Sequence, residues 1–215
     1  MGSIGEVSGS LPYTRIEVVT HGVSVVHPLS RKGTGPGIIL LVSESGINAG
    51  SQLRIEHGVP SATMKWAEEG YCVAEVVPEA WSAQDDPLKE AVDALKQAIN
   101  CDPADRIGLV CYDYNIYNLA APSIVKLSSL AGIVLYTTSP DLASLAPSPI
   151  PIAIHAAGAS VSPATERNKR EKVYSYATTT SHLFATPFHP KFSYADEAVS
   201  HSRSLTFLKK VMDGP

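Results

Sequence analysis

The fold is decided by the stretch Ile107-Gly-Leu-Val-Cys-Tyr-Asp-Tyr-Asn115 and the residues that follow it. Its first five residues are apolar without alternation, which is typical of a strand buried on both faces of a parallel sheet. A short polar turn comes next, and residues 116–127 then continue with helical composition. A strand that runs directly into a helix is half of a βαβ unit, so this stretch predicts an α/β protein.

The same alternation of strand and helix extends along the chain in both directions. Residues 15–27 predict a β-hairpin, because two β-branched runs flank His21-Gly22. Further strands are predicted at 37–42, 71–77, 130–136, 150–155 and 172–177, and helices at 51–69, 87–100 and 197–212. Pro60 is expected to interrupt the first of these helices. The pattern predicts a mostly parallel, doubly wound sheet with helices on both faces.

Composition narrows the class of protein. The chain has 215 residues and is 44% hydrophobic, which suits one domain over residues 13–215 after a flexible segment, 1–12. A net charge of -4 without a basic stripe argues against nucleic-acid binding. We expect a cytoplasmic protein with no membrane partner, because there is no signal peptide or apolar span and the three cysteines have no disulfide-type spacing.

Chemically useful side chains follow several predicted strands. Asp113 comes after strand 107–111, Glu44 after strand 37–42, Trp81 after strand 71–77, and His182 after strand 172–177. Ligands of open parallel sheets bind outside the carboxyl ends of the strands. Two carboxylates, a histidine and aromatic rings are therefore expected to converge on one edge of the sheet.

From about Gly35 to Lys210, the chain resembles the dienelactone hydrolase family of α/β-hydrolases in the sequence and order of several short segments. The similar segments are Gly35-Pro-Gly-Ile-Ile-Leu-Leu-Val-Ser-Glu44-Ser-Gly-Ile-Asn48, Ala67-Glu-Glu-Gly-Tyr71, Ala91-Val-Asp-Ala-Leu95, Asp105-Arg-Ile-Gly-Leu-Val110, Ser181-His182-Leu-Phe184 and Thr206-Phe-Leu-Lys-Lys210. The resemblance implies an α/β-hydrolase fold, and the chain leaves no room for a cap domain.

The resemblance also assigns roles to single residues. His182 matches the family's catalytic histidine, and Glu44 matches a glutamate that lies near the nucleophile. Asp113 stands where the family has cysteine or serine, and the glycines of the Gly-x-Cys/Ser-x-Gly nucleophile elbow are replaced. The stretch after residue 155, where the triad acid is expected, contains no carboxylate up to Val161.

Three hypotheses follow from this altered site. The first is cofactor-free acid–base chemistry by Asp113 and His182, assisted by Glu44, on a small apolar carbonyl compound such as a lactone, an enol or a polyketide-like intermediate. The reaction would be an isomerisation, a cyclisation or a dehydration. The second is hydrolysis of an ester, a lactone or a related bond with Asp113 as the nucleophile. The third is a binding protein that kept the fold and lost its chemistry.

The remaining site predictions concern binding. Tyr112, Tyr114 and Trp81 are candidates to shape the pocket, and Ser45 and Arg54 complete the predicted substrate-binding set, with Arg54 suited to an anionic group. No cofactor is expected, because the glycines of residues 33–37 form neither a P-loop nor a dinucleotide fingerprint. No metal-ligand spacing is found. The predicted partner is a small-molecule substrate, and a homodimer is left open.

Overall fold

The computed structural model describes residues 16–43, 53–83, 85–145, 148–158 and 170–213. The strands within these ranges are β1 (Ile16–Thr20), β2 (Val23–Val26), β3 (Gly37–Leu41), β4 (Ile55–Glu56), β5 (Val59–Pro60), β6 (Cys72–Val76), β7 (Ile107–Cys111), β8 (Leu130–Thr138), β9 (Ile152–Ala157) and β10 (Glu171–Tyr176). The α-helices are α1 (Ala62–Glu68), α2 (Ala80–Ala83), α3 (Pro87–Gln97), α4 (Tyr114–Ile124), α5 (Ser139–Ser144) and α6 (Tyr194–Met212). A short 3-10 helix, His182–Ala185, precedes α6. None of the described helices is long and apolar enough to cross a membrane.

Eight of these strands form one sheet in the order β1-β2-β6-β3-β7-β8-β9-β10. The six strands from β6 to β10 in this order run parallel, and the hairpin β1–β2 adds two antiparallel strands at one edge. Gly22 turns the hairpin with a φ of +81°, and a Cβ at this position would lie 2.6 Å from the backbone nitrogen of Ala80. The predicted hairpin and the predicted mostly parallel sheet are both confirmed.

Helices cover the sheet on both faces, as the buried apolar runs of its strands require. On the first face, α3 and α4 pack on a core that includes Leu41, Cys111 and Leu135. On the second face, α1 and α6 pack on a core that includes Leu40, Val110 and Val134. Consecutive residues of one strand therefore point into different cores, which is the period-two alternation of an extended chain.

The prediction of a helix over residues 51–69 is wrong for its first part: the residues that the structure describes there, 53–60, are not helical. Residues 53–60 form the small antiparallel hairpin β4–β5, and the helix begins at Ala62 with Ser61 as its N-cap. His57 and Gly58 have φ values of +49° and +80°, which no helix accommodates, and they make the turn of the hairpin. Ile55 and Val59 have the i, i+4 spacing of a helix, but here they belong to the two strands of a hairpin.

Candidate active site

Asp113 is fixed by the start of helix α4. Its backbone is extended, with φ -148° and ψ 132°, and it is the N-cap of the helix. Its Oδ1 accepts hydrogen bonds from the backbone N–H groups of Asn115, at 2.7 Å, and of Ile116, at 3.3 Å. No residue from Cys111 to Asn115 has a positive φ, so the chain makes an ordinary capped helix start here and not a strained elbow.

His182 reaches Asp113 from a different element, the 3-10 helix that precedes α6. It is the first residue of the 3-10 helix, which Ser181 caps through a 3.3 Å bond from the Leu183 N–H. The Nε2 of His182 lies 3.2 Å from Oδ2 of Asp113. The two side chains are 18% and 16% exposed, so the contact is largely shielded from water. The structure thus brings together the two residues with the strongest functional prediction.

The charge state of the pair follows from its contacts. The pKa of Asp113 is lowered mainly by the hydrogen bond from His182 and further by the two backbone N–H groups, while burial acts in the opposite direction. An ionised Asp113 can only accept a hydrogen bond, so Nε2–H of His182 donates to it. The other ring nitrogen, Nδ1, is buried and has no hydrogen-bond partner among the described residues.

The strands on either side of β7 each carry a hydroxyl residue at or just past their carboxyl end, Ser43 after β3 and Thr137 in β8. Strands β3, β7 and β8 pair in register up to the row formed by Leu41, Cys111 and Leu135. Ser43, Asp113 and Thr137 each follow a residue of this row by two positions, and an extended chain keeps such residues on the same face. The Oγ of Ser43 and the Oγ1 of Thr137 are buried, and neither has a partner within the part of the chain that the structure describes. We call these three residues the polar row.

The other predicted binding residues have different surroundings. Tyr112 points to the second face, away from the polar row, and its hydroxyl accepts a 3.1 Å hydrogen bond from Nε1 of Trp66. Tyr114 is half-buried and packs on the first face. Trp81 also packs there, and its buried Nε1 has no partner among the described residues.

Arg54 is occupied by local contacts. It forms an ion pair with Glu56, and its guanidinium lies 5.3 Å from the ring centroid of Phe188. Its side chain is about half exposed. Glu44 and Ser45 lie outside the described residues. In the described ranges no group of three or more His, Cys, Asp or Glu side chains could hold a metal ion.

Sequence reasoning missed a row of aromatic rings beneath the site. Tyr112, Tyr136, His155 and Tyr174 lie on adjacent strands of the second face, in register. Their successive ring centroids are 5.0, 4.8 and 5.1 Å apart, and their planes differ by 3°, 18° and 17°. Phe184, two residues after His182, packs on Tyr136. The in-register spacing of aromatic residues at strand ends was the available signal. We call the four rings the aromatic row.

Polar atoms of the aromatic row are hydrogen bonded. The hydroxyl of Ser204 donates to the backbone oxygen of Ser200, so Nε2–H of His155 donates to Ser204, at 2.9 Å. The Nδ1 of His155 then accepts from the Tyr176 hydroxyl at 2.8 Å. Burial, followed by the positive charge of Arg203, lowers the pKa of His155 to about 3. The ring is therefore neutral at physiological pH.

The comparisons with known proteins concern structure alone. No protein-family model matches the sequence, and no curated protein matches it. Among solved structures, Thermogutta terrifontis esterase 2 in its tabun-phosphoramylated form is 12% identical, with a TM-score of 0.54 over 93% of this chain and 96% of that chain. Est1E from Butyrivibrio proteoclasticus is 10% identical, with a TM-score of 0.50 over 87% of this chain and 95% of that chain.

A longer protein contains a similar domain. The Pyrococcus horikoshii acylaminoacyl peptidase is 10% identical, with a TM-score of 0.53 over 90% of this chain, and this chain spans 40% of the peptidase. Identities of this size carry information about the fold and not about the reaction. The strand order, the helices on both faces and these structural neighbours together show that the chain has the α/β-hydrolase fold.

Proposed function

We propose that this chain is an enzyme that moves a proton within a small, largely apolar carbonyl compound, with His182 as the base. The observation that carries the proposal is the 3.2 Å contact between Nε2 of His182 and Oδ2 of Asp113. The carboxylate holds the imidazole in one tautomer, and this leaves the Nδ1 lone pair free to take a proton. In a Ser-His-Asp arrangement Nε2 faces the nucleophile and Nδ1 faces the acid, so Asp113 stands on the nucleophile's side of the ring, where the resemblance also puts it.

The proposed chemistry has two steps and needs no cofactor. In the first step Nδ1 of His182 takes a proton from a carbon beside the carbonyl, and the electron pair of that C–H bond passes through the new C=C bond to the carbonyl oxygen, which becomes an enolate; from an enol hydroxyl, loss of the proton gives the same enolate directly. Asp113 stabilises the imidazolium that forms, because its carboxylate is already in contact with the ring. In the second step the same proton returns to a different atom of the substrate. An isomerisation, a cyclisation or a dehydration of such an enol can begin in this way.

Two further considerations support this reading. The sequence resembles dienelactone hydrolases, so a lactone, an enol or a polyketide-like intermediate is a reasonable substrate class. The Asp113 backbone lacks the strained turn that exposes a nucleophile, whereas its capped position suits a carboxylate that orients a neighbour. Glu44, which the resemblance assigns to the same site, is proposed to assist the proton transfer.

The test uses matched variants and a panel of lactones, enol esters and 1,3-dicarbonyl compounds, with products followed by mass spectrometry. His182→Gln and Asp113→Asn should each lower kcat/KM on any turned-over compound by about 10²- to 10⁴-fold, the usual contribution of a general base. His21→Gln changes an exposed histidine outside the site and should have no effect. Full activity in both dyad variants would rule out the proposed mechanism.

Ester hydrolysis is the second candidate, because two structural neighbours are esterases and a third is a peptidase. One version uses Asp113 as a nucleophile, although Oδ1 is bound by two backbone N–H groups and Oδ2 faces His182. A single turnover in heavy-oxygen water would then label the Asp113 carboxylate. Label in the hydrolysed product alone would indicate that His182 activates water. Affinity for a compound without any conversion would identify a binding protein.

A further inference from the structure

Strand β10 forms one edge of the eight-stranded sheet, and its outer side has no neighbouring strand among the described residues. Its six residues pair with β9 without any shift in register. Lys172, Val173 and Ser175 are exposed, so the edge is open to solvent. A regular, exposed edge offers its backbone N–H and C=O groups to a further strand. β10 is therefore a surface on which the sheet can be extended.

The hydrogen bonds to β9 show which backbone groups of β10 face outward. The carbonyl oxygens of Arg170 and Tyr176 accept hydrogen bonds from the N–H groups of Ile152 and Gly158, at the two ends of β9. In a parallel ladder, alternate residues turn both of their backbone groups to the same neighbouring strand. The even-numbered residues of β10 therefore bond to β9, and the backbone groups of the odd-numbered residues, Val173 at their centre, point away from the sheet.

The opposite edge of the sheet is less suited to pairing. Strand β1 also has an exposed valine, Val18, but its pairing with β2 shifts register between Val18 and Thr20. An irregularity of this kind bends an edge strand and interrupts its row of outward backbone groups. The regular edge at β10 is therefore the better template for a further strand.

We propose that β10 pairs with β10 of a second copy of this chain, in antiparallel orientation and about a two-fold axis at Val173. The two sheets then become one continuous sheet, and the assembly is closed because each copy uses the same edge. Val173 faces Val173 of the second copy, Lys172 faces Tyr174, and Ser175 faces Glu171. This interface does not depend on the proposed chemistry of His182.

The side chains of β10 favour this register over its neighbours. An axis at Lys172 would set the two Lys172 side chains directly opposite each other, and opposed like charges destabilise a strand pair. An axis at Tyr174 would set Glu171 opposite Ala177, which lies beyond the end of the strand. An axis at Val173 uses most of the strand and opposes no like charges. It also brings Lys172 to a second tyrosine ring, a contact that its Nζ already makes with Tyr174 of its own chain, 5.3 Å from the ring centroid.

The association itself is tested by sedimentation equilibrium with a pair of matched charge variants. Wild-type protein at about 1–300 µM should show a monomer–dimer equilibrium. Val173→Lys sets like charges directly opposite each other and should weaken the dimer about tenfold. Val199→Lys adds the same charge at an exposed valine of α6 and should leave the equilibrium unchanged. A wild-type monomer at every concentration, or equal dimerisation of the two variants, would overturn the proposal.

Single introduced cysteines test the register, because the three native cysteines are buried. Val173→Cys places two thiols across the axis at the Cα separation of about 5.5 Å that suits a disulfide. Ser175→Cys faces Glu171, so the two introduced thiols are about 14 Å apart. Oxidised glutathione, which takes up the two electrons and two protons and is reduced to two thiols, should link Val173→Cys into a covalent dimer and leave Ser175→Cys monomeric on a non-reducing gel.

Charge at position 175 gives an independent measurement of the same register. Ser175→Lys lies opposite Glu171 and forms two ion pairs in each dimer, so the dimer should tighten about two- to thirtyfold, whereas Ser175→Glu should weaken it. A folding defect cannot imitate the gain expected from Ser175→Lys. Equal dimerisation of these two variants, or linkage of Ser175→Cys as fast as Val173→Cys, would overturn the pairing at Val173.

Discussion

The aromatic row and the polar row overlap at β7 and β8, where their residues are one position apart, and they differ in how their polar atoms are paired. In the aromatic row, the hydroxyls of Tyr112 and Tyr136 and both nitrogens of His155 have hydrogen-bond partners. In the polar row, the hydroxyls of Ser43 and Thr137 have none in the described part of the chain. The first row lies under helix α6, whereas the second faces the carboxyl edge.

The difference separates a face whose buried polar atoms are paired from a face where several are not. Complete pairing makes a buried polar network rigid, and incomplete pairing weakens the fold unless a ligand supplies the missing bonds. Unpaired groups at a ligand-binding edge are therefore expected to reduce stability in the free protein and to contribute affinity in the complex. Each prediction below changes the pairing on one of the two faces.

Among the changes considered, acidification should have the largest effect on the free energy of unfolding, because it charges the buried histidines of the second face. Burial lowers the pKa of His155 and of His201 to about 3, with further contributions from Arg203 and Lys65 respectively. Both folded values lie below the ordinary 6.5, so this stability is present above pH 6.5 and is lost as the pH falls towards 3. Lowering the pH from 7 to 5 should therefore reduce the free energy of unfolding by about 4 kcal/mol.

Urea unfolding at a series of pH values measures this loss. Glu69, whose Oε1 lies 3.5 Å from Nε2 of His201, has a side chain that is 38% exposed and is expected to offset little of the cost of burial. A free energy of unfolding that stays constant between pH 7 and pH 5 would contradict neutral, buried histidines.

His155→Leu removes a hydrogen-bonded side chain from the middle of the aromatic row. It removes the bonds to Tyr176 and Ser204 and the stacking on Tyr136 and Tyr174. We expect a loss of about 3 kcal/mol in the free energy of unfolding, as for other buried groups whose removal leaves polar partners behind. His21→Leu, at an exposed position, is the control and should change stability by less than about 0.5 kcal/mol. Similar midpoints for the two variants in urea would show that the row is not stabilising.

Two buried threonines allow the contribution of a hydrogen-bonded hydroxyl to stability to be compared with that of a hydroxyl without a described partner. Thr63 and Thr137 are both 0% exposed, but the hydroxyl of Thr63 donates to Glu75 at 2.6 Å, whereas that of Thr137 has no partner among the described residues. Thr137→Val should stabilise the free protein by about 1 kcal/mol, and Thr63→Val should destabilise it by about 1–3 kcal/mol. Thermal unfolding measures both, and destabilisation by Thr137→Val would mean that its hydroxyl is paired.

Asp113 should show the smallest effect on stability, because its two roles can be separated. Asparagine is also a good N-cap, so Asp113→Asn should change the free energy of unfolding by less than about 0.5 kcal/mol, while Asp113→Ala should lower it by about 1 kcal/mol. Activity should be lost in both, because neither side chain provides a carboxylate to His182. Equal activity in wild type and Asp113→Asn, measured at matched stability, would leave the residue with a capping role alone.

The sequence predicted the strands well because burial on both faces leaves an apolar run that is hard to mistake. Strand β7 was predicted to the residue, and the other long strands to within about two residues. The error at residues 53–60 arose because Ile55 and Val59 have helical spacing, whereas the positive φ values of His57 and Gly58 depend on the finished hairpin. Pro60 was the signal that favoured a break.

The site was predictable in part. Asp113 and His182 were found from the resemblance, and the structure places them in contact. Tyr112 was expected in the same pocket, yet neighbouring residues of an extended chain point to opposite faces, and this rule alone separates Tyr112 from Asp113. That no described residue pairs with the buried hydroxyl of Thr137 could not be predicted from the sequence, because whether a buried hydroxyl finds a partner depends on side chains from other elements.

The register of the aromatic row has a consequence for local opening motions. Stacked rings link β7, β8, β9 and β10 into one cooperative unit, and Phe184 joins the 3-10 helix to it. Asp113 follows Tyr112, and His182 precedes Phe184 by two residues, so both members of the dyad are attached to this unit. Amide hydrogens there should exchange only through global unfolding, whereas those of the edge hairpin β1–β2 should exchange through smaller openings.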